Sequence, residues 1–273
     1  MKKITIVLFS TFIFYGCEDV IEIDVPSGES KLIVDAFFEV YYNQTPVTAN
    51  TIVKLRESTD YFEEQIPIVT NATVLIKDLT NNIEIMFTDN NLDGDFEPIT
   101  PFIPLQNIEY ELNIFFNNEM YKASTSKIIT SGFSEVFQGD STLFSGEEIE
   151  VNVSIMDDIT TDNYYLFDFS NNLYLSIEDR FFNGSRYNFS FFYQEDEIAL
   201  PTDVTIKMSG ISKEYLTYFR VLISQSGQNS GGPFQTIPSS LLGNIVNTTN
   251  IENFPLGYFH ISETDTYNLS LTE

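Results

Sequence analysis

The sequence predicts an all-β protein with one helix in its C-terminal half. An N-terminal immunoglobulin-like or transthyretin-like sandwich is followed by a second β-sandwich or barrel-like domain. Three observations predict this. Apolar and polar residues alternate at period two through most of the chain, the signature of half-buried strands. The alternating runs are short and divided by Asn, Asp, Gly and Pro, with roughly seven of them in the first hundred residues after the leader, the spacing expected of a sandwich. A single stretch, 213–226, instead places apolar residues at helical spacing.

The elements follow in order. Lys2 and Lys3 head an apolar run over 4–15, and Phe14-Tyr15-Gly16-Cys17 is followed by Glu18-Asp19. A basic head, an apolar run and a small residue before a cut site make a secretory signal peptide over 1–16; the run is too short to span a bilayer as a helix. Gly16-Cys17 resembles a lipobox, where bacterial lipoproteins are cleaved and lipidated on the cysteine thiol, although Phe14 stands where Leu is usual. Cys17 is the only cysteine, so once it carries lipid no disulfide is available. Glu18-Asp19 resembles the acidic tag that sends lipoproteins to the outer face of the outer membrane in bacteria with SusC/SusD-type importers. Residues 17–30 read as an acidic tether.

The first domain is expected over 31–130. Leu32, Val34, Ala36, Phe38 and Val40 share one face of a strand over 31–40. A polar loop over 43–50 precedes a strand over 51–57. A strand over 71–78 carries Ala72, Val74 and Ile76; Asn81-Asn82 turns it into a partner over 83–87. Strands over 109–116 and 120–127 form a hairpin across Asn117-Asn118. The stretch 131–146 reads as a domain boundary, and a second domain over 131–273 opens with a strand over 148–156. Strands follow over 164–169, 173–182, 187–194 and 203–208. Asn183-Gly184, between apolar runs, predicts a hairpin. In the helix, Ser212 caps the first turn and Tyr215, Phe219, Leu222 and Ile223 share a face, read as core packing. Closing strands are expected over 256–261 and 266–271.

Composition narrows the function. The formal charge is −27, which repels nucleic acid and favours cations or basic partners. The chain has 25 Phe and 15 Tyr but no Trp. One histidine and one cysteine exclude a zinc site built from those residues, and no G-x-S-x-G or H-E-x-x-H motif occurs. His260 reads as a packing residue. Asp89, Asn91, Asp93, Gly94 and Asp95, with Glu97, match the opening of a calcium loop, and calcium is the one cofactor to consider. Thr100 holds the twelfth place, where an EF-hand would have Glu. The plainer reading is a turn in which Asp93-Gly94 supplies positive φ. Asp140-Ser141-Thr142 resembles a short bacterial O-glycosylation motif, which makes Ser141 a candidate acceptor. Paired aromatics such as Phe37-Phe38, Phe115-Phe116 and Tyr164-Tyr165 put one ring inward and one outward.

Several motifs recur in order: Ala72 to Ile76, Tyr110 to Ile114, Met120-Tyr121-Lys122-Ala123, Ile211-Ser212-Lys213-Glu214-Tyr215, Gly232-Pro233-Phe234, Gly243-Asn244-Ile245 and Leu256-Gly257-Tyr258-Phe259. Together they resemble an uncharacterised family of outer-membrane lipoproteins, a domain of unknown function encoded beside SusC-like, TonB-dependent transporters. The resemblance implies a non-enzymatic, cell-surface accessory of such a transporter that captures ligand or covers the channel, bound to the membrane through its lipid alone. The rival readings are an adhesin or structural surface module without a transporter, and an envelope hydrolase built on two carboxylates.

Overall fold

A computed structural model describes residues 28–60, 63, 65–194, 196–226 and 241–273. The first half of the chain forms β1 (Leu32–Tyr41), β2 (Thr48–Asn50), β3 (Val53–Glu57), β4 (Thr73–Asp78), β5 (Ile83–Thr88), β6 (Asp95–Pro98), β7 (Glu109–Phe116) and β8 (Glu119–Ile128). The second half forms β9 (Phe133–Gln138), β10 (Ile149–Met156), β11 (Tyr164–Asp168), β12 (Tyr174–Glu178), β13 (Arg186–Tyr193), β14 (Thr202–Ile211), helix α1 (Lys213–Gln225), β15 (Val246–Asn247) and β16 (Leu256–Leu271). Among the described residues the protein is all-β with one α-helix in its C-terminal half, as its sequence predicts.

The larger sheet runs β12-β11-β14-β16-β1-β3-β6-β5-β4-β7-β8-β15, with β2 paired to β1. It folds over itself at two corners. Asp95 and Phe96 of β6 pair with β3, while Glu97 and Pro98 pair with β5. β8 pairs with β7 along most of its length, and its last residues, Lys127 and Ile128, run parallel to Ile261 and Ser262 of β16. Strands that switch sheets in this way make the corners of a barrel-like sandwich. Inside lie Leu32, Val34, Ala36, Phe38 and Val40 of β1, with Val74, Ile76, Leu112, Ile114, Phe259 and Ile261. The period-two pattern of β1 is thus a true core face.

A second core lies beside the first. Tyr165 and Phe167 of β11, Val204, Ile206 and Met208 of β14, and Leu271 of β16 face the three-stranded sheet β13-β10-β9. Strand β16 is the spine of the molecule: its odd-numbered residues enter the first core at Phe259 and Ile261 and the second at Leu271.

Three details differ from expectation. The two closing strands are one continuous strand of 16 residues. The polar middle that broke the pattern is buried and hydrogen-bonded instead. Ser262 Oγ donates to the Gly210 carbonyl at 2.7 Å, Thr264 and Ser209 hydroxyls meet at 2.8 Å, and Asp265 accepts the Phe133 N–H at 2.7 Å. Buried polar groups are tolerated on these terms. Second, the stretch expected to be a boundary contains β9. Third, Asn183-Gly184 makes a turn but no hairpin, because β12 pairs with β11 and β13 with β10 in the other sheet. The Gly184 N–H donates to Asp157 at 2.8 Å, and Ser185 closes the turn onto the Phe182 carbonyl. By contrast, Asn117-Asn118 links β7 to β8 as a two-residue hairpin, with φ of 51° and 62° and Phe116 opposite Glu119.

A cleft beneath the helix

The cores occupy one face of the large sheet, and α1 lies on the other. β14 ends at Ile211, and Ser212 caps the helix by accepting the Tyr215 N–H at 3.1 Å. Tyr215, Leu216 and Phe219 are buried against Leu166 and Ile211 of the sheet. The edge of β16 beside the helix is finished by Asn244. Its side-chain amide donates to the Phe259 carbonyl at 2.8 Å and accepts the Phe259 N–H at 2.9 Å, as a neighbouring strand would. Gly257, with φ of +105°, passes so close to β1 that a Cβ would lie 1.9 Å from the Val34 carbonyl oxygen. Asn244 and Gly257 are thus set by the backbone of β16 and β1 rather than by the cleft.

The helix covers only part of that face. Beside it a cleft of about 550 Å³ opens over β1, β14 and β11, within the range of small-ligand sites. One wall is aromatic: Tyr215 lies 5.2 Å from Phe37 and 5.0 Å from Tyr258, Tyr218 lies 4.9 Å from Tyr258, and Tyr174 meets Phe219 edge-on at 5.4 Å. The floor is charged. Lys207 Nζ donates to both carboxylate oxygens of Glu39 at 3.0 Å, and the Tyr41 hydroxyl donates to Glu39 Oε2 at 2.7 Å. Asp35 lies four residues before Glu39 on the same face of β1, 3.9 Å from Lys54. Asp168, from β11, completes the set; burial raises its pKa, with Lys207 acting the other way.

The electrostatics keep the tyrosines as neutral phenols. Burial raises the pKa of Tyr215 well above its ordinary value, with the charge of Asp35 adding to it, and the same two causes push Tyr218 up to about 12. These rings therefore offer π-faces and hydroxyl hydrogen bonds, not bases. Behind them His260 is fully buried, its ring 4.6 Å from that of Tyr215 and 5.5 Å from that of Phe37. Neither of its ring nitrogens makes a hydrogen bond among the described residues. Burial pushes its pKa down to about 4, and the Gly210 carbonyl opposes the shift without cancelling it. The histidine is a packing residue, as expected.

The other candidate residues lie elsewhere. Cys17 and Gly232-Pro233-Phe234 fall outside the described residues. In the acidic loop, Asp89 accepts the N–H groups of Asp93 and Gly94 at 3.2 and 2.9 Å, and Asp95 pairs with Arg56 at 2.7 Å. Gly94 has φ of +77°, and a Cβ there would lie 2.8 Å from the Leu55 carbonyl oxygen, so the loop is a turn clamped onto β3. Asn91 is exposed at its tip, and Glu97 is exposed on β6. Among the described residues, no three His, Cys, Asp or Glu side chains gather as a metal site. Ser141 is exposed, and its N–H donates to Glu150 at 2.9 Å.

Reasoning from the sequence missed Asp35, Glu39, Asp168 and Lys207. The available signal was the pattern Asp35-x-Phe37-x-Glu39 on the face of β1 opposite its apolar residues. Reading the helix face as core packing was right for Tyr215 and Phe219, but these two, together with Leu222, also line the cleft.

Fold and site together define an all-β protein in which one strand serves two sandwich cores and the opposite sheet face carries an aromatic, acidic cleft. The chain belongs to the family described as Domain of unknown function (DUF4249), whose model matches residues 18–268. Comparison with curated proteins finds no match. Among solved structures, the chicken interferon gamma receptor alpha chain is similar at 11% identity over 68% of this chain and 88% of that one, with a TM-score of 0.20. At that score the likeness carries no argument.

Proposed function

We propose that this protein is a non-enzymatic lipoprotein of the bacterial outer membrane, held by lipid on Cys17 and facing the cell exterior. It captures a small ligand in the cleft beneath α1 on behalf of a SusC-like, TonB-dependent transporter. The observation that carries this reading is the cleft itself: about 550 Å³ walled by tyrosines and carboxylates, on the sheet face that neither core uses. Concave, largely preformed sites with a few convergent polar groups are where small ligands bind.

The binding role is favoured over catalysis by what the side chains are doing. Glu39 is occupied by Lys207 and Tyr41. Among the described lining residues Ser209 is the only aliphatic hydroxyl, and it is bonded to Thr264 rather than to a base. An activated nucleophile needs such a base within hydrogen-bond reach. The lipobox-like Phe14-Tyr15-Gly16-Cys17 and the acidic Glu18-Asp19 support the anchor and the surface location. Several acyl chains anchor stably without a membrane-binding face on the protein.

The test is native purification of the full-length protein through a C-terminal tag, from envelopes in mild detergent, followed by mass spectrometry. The expected result is a co-purifying outer-membrane barrel of the TonB-dependent class. Recovery of the lipoprotein alone, in quantity, would overturn the transport reading in favour of an adhesin or structural module.

A further inference from the structure

We propose that the cleft selects ligands carrying an organic cation, an alkylammonium or guanidinium group, which seats against Asp35 beside the rings of Tyr174 and Tyr218. This inference rests on the ligand-capturing reading and names its chemical class.

Three carboxylates face the cleft and two lysines answer them. They are not equally paired. Glu39 and Lys207 close on each other through two hydrogen bonds of 3.0 Å, with Tyr41 as a third partner. Among the described residues Asp35 has only Lys54, at 3.9 Å, and both side chains are exposed. That spacing is beyond a hydrogen bond, and exposed pairs of this kind contribute little. Asp35 is therefore a carboxylate whose ordinary partner is easily displaced.

Its surroundings suit a cation better than any other ligand. Asp35 lines the same cleft as Tyr174, Tyr215 and Tyr218, and its charge is felt most by Tyr215 and Tyr218. Aromatic faces are negative and attract ammonium and guanidinium groups. A buried aromatic body with a carboxylate at its mouth adds the two attractions, and the overall charge of −27 draws cations toward it. An anion would meet the same charges with the wrong sign. A bare metal ion would lack ligands, since no group of three suitable side chains exists among the described residues. A sugar needs flat, free ring faces on which to stack. The ring of Tyr215 already lies against Phe37, His260 and Phe219, and the chain has no Trp.

The experiment is isothermal titration of the full-length protein in mild detergent with spermidine, arginine ethyl ester and neutral maltotriose. Both cations are expected to bind and maltotriose is not. Asp35→Asn should weaken cation binding tenfold or more, and Tyr218→Ala severalfold. Lys54→Gln, which removes the competing ammonium, should strengthen it. Asp203→Asn, at an exposed carboxylate bonded to Ser270, should change nothing. Matching melting temperatures for Asp35→Asn and wild type show that the variant is folded. Cation binding that survives Asp35→Asn would be general attraction to an acidic surface and would overturn the proposal. So would the absence of heat with either cation, or preference for maltotriose, although that last result would leave ligand capture standing. Failure to recover a barrel by native purification bears on the transporter and leaves this titration unaffected.

Discussion

The two faces of β1 put alternate residues to opposite purposes. Leu32, Val34, Ala36, Phe38 and Val40 are all at most 4% exposed and point into one closed core. Asp35, Phe37 and Glu39, between them, line a cleft. The first face is uniform, and its cost of exposure holds the sheet together. The second mixes charge with aromatic surface, which a core would not accept unpaired. A strand's structural face is recognisable by its uniformity, and its working face by polar groups whose pairing is incomplete.

The largest loss of stability is expected from damage to the uniform face. Phe38 has no exposed surface and meets the rings of Phe259 and Phe87. Phe38→Ala should cost about 3–5 kcal/mol of stability by chemical denaturation, without Asp35 or its neighbours being touched.

Next in size is acid. His260 titrates at about 4 in the folded chain against 6.5 ordinarily. The unfolded chain therefore binds the extra proton first. This contribution is complete above about pH 6.5 and is lost as pH falls toward 4, on the order of 3 kcal/mol in all. Denaturation midpoints measured from pH 7 to pH 4 should fall for wild type and fall less for His260→Phe. Equal slopes would show that the buried ring does not govern this range.

On the working face, Glu39→Gln leaves Lys207 without its charged partner and should cost about 1–3 kcal/mol, read by thermal unfolding. This is the polar group of the cleft whose pairing is complete, so its loss should be felt in stability, unlike that of Asp35. Ser212→Ala removes the helix cap and should cost about 1 kcal/mol, loosening the aromatic wall more than either core. The smallest expected effect is that of calcium. With Asp89 spent on turn N–H groups and Asp95 on Arg56, millimolar calcium should leave the melting temperature unchanged, since native-state binding would raise it.

Much of the fold was legible because its signals are local. The inward face of β1, the Asn117-Asn118 hairpin and the Ser212-capped helix each depend on neighbours in sequence. What escaped depends on partners far along the chain. Period two says which residues share a face, not which strand lies alongside, so β12 and β13 could flank a turn yet join different sheets. The continuity of β16 was hidden because Ser262 and Thr264 are buried by hydrogen bonds to β14, which no hydropathy pattern reports. The cleft was the least legible feature. Its residues come from β1, β2, β3, β11, β12, β14, α1 and β16, and only the folded sheet brings Asp35 into one cleft with Tyr218.

The most direct test of the central claim, that the face opposite the cores is the binding face, is hydrogen–deuterium exchange of the full-length protein with and without saturating spermidine. Slower exchange is expected in 33–39, 213–225 and 256–260, with 73–88 and 109–128 unchanged. Protection confined to 73–128, or measurable binding with no change around the cleft, would contradict it.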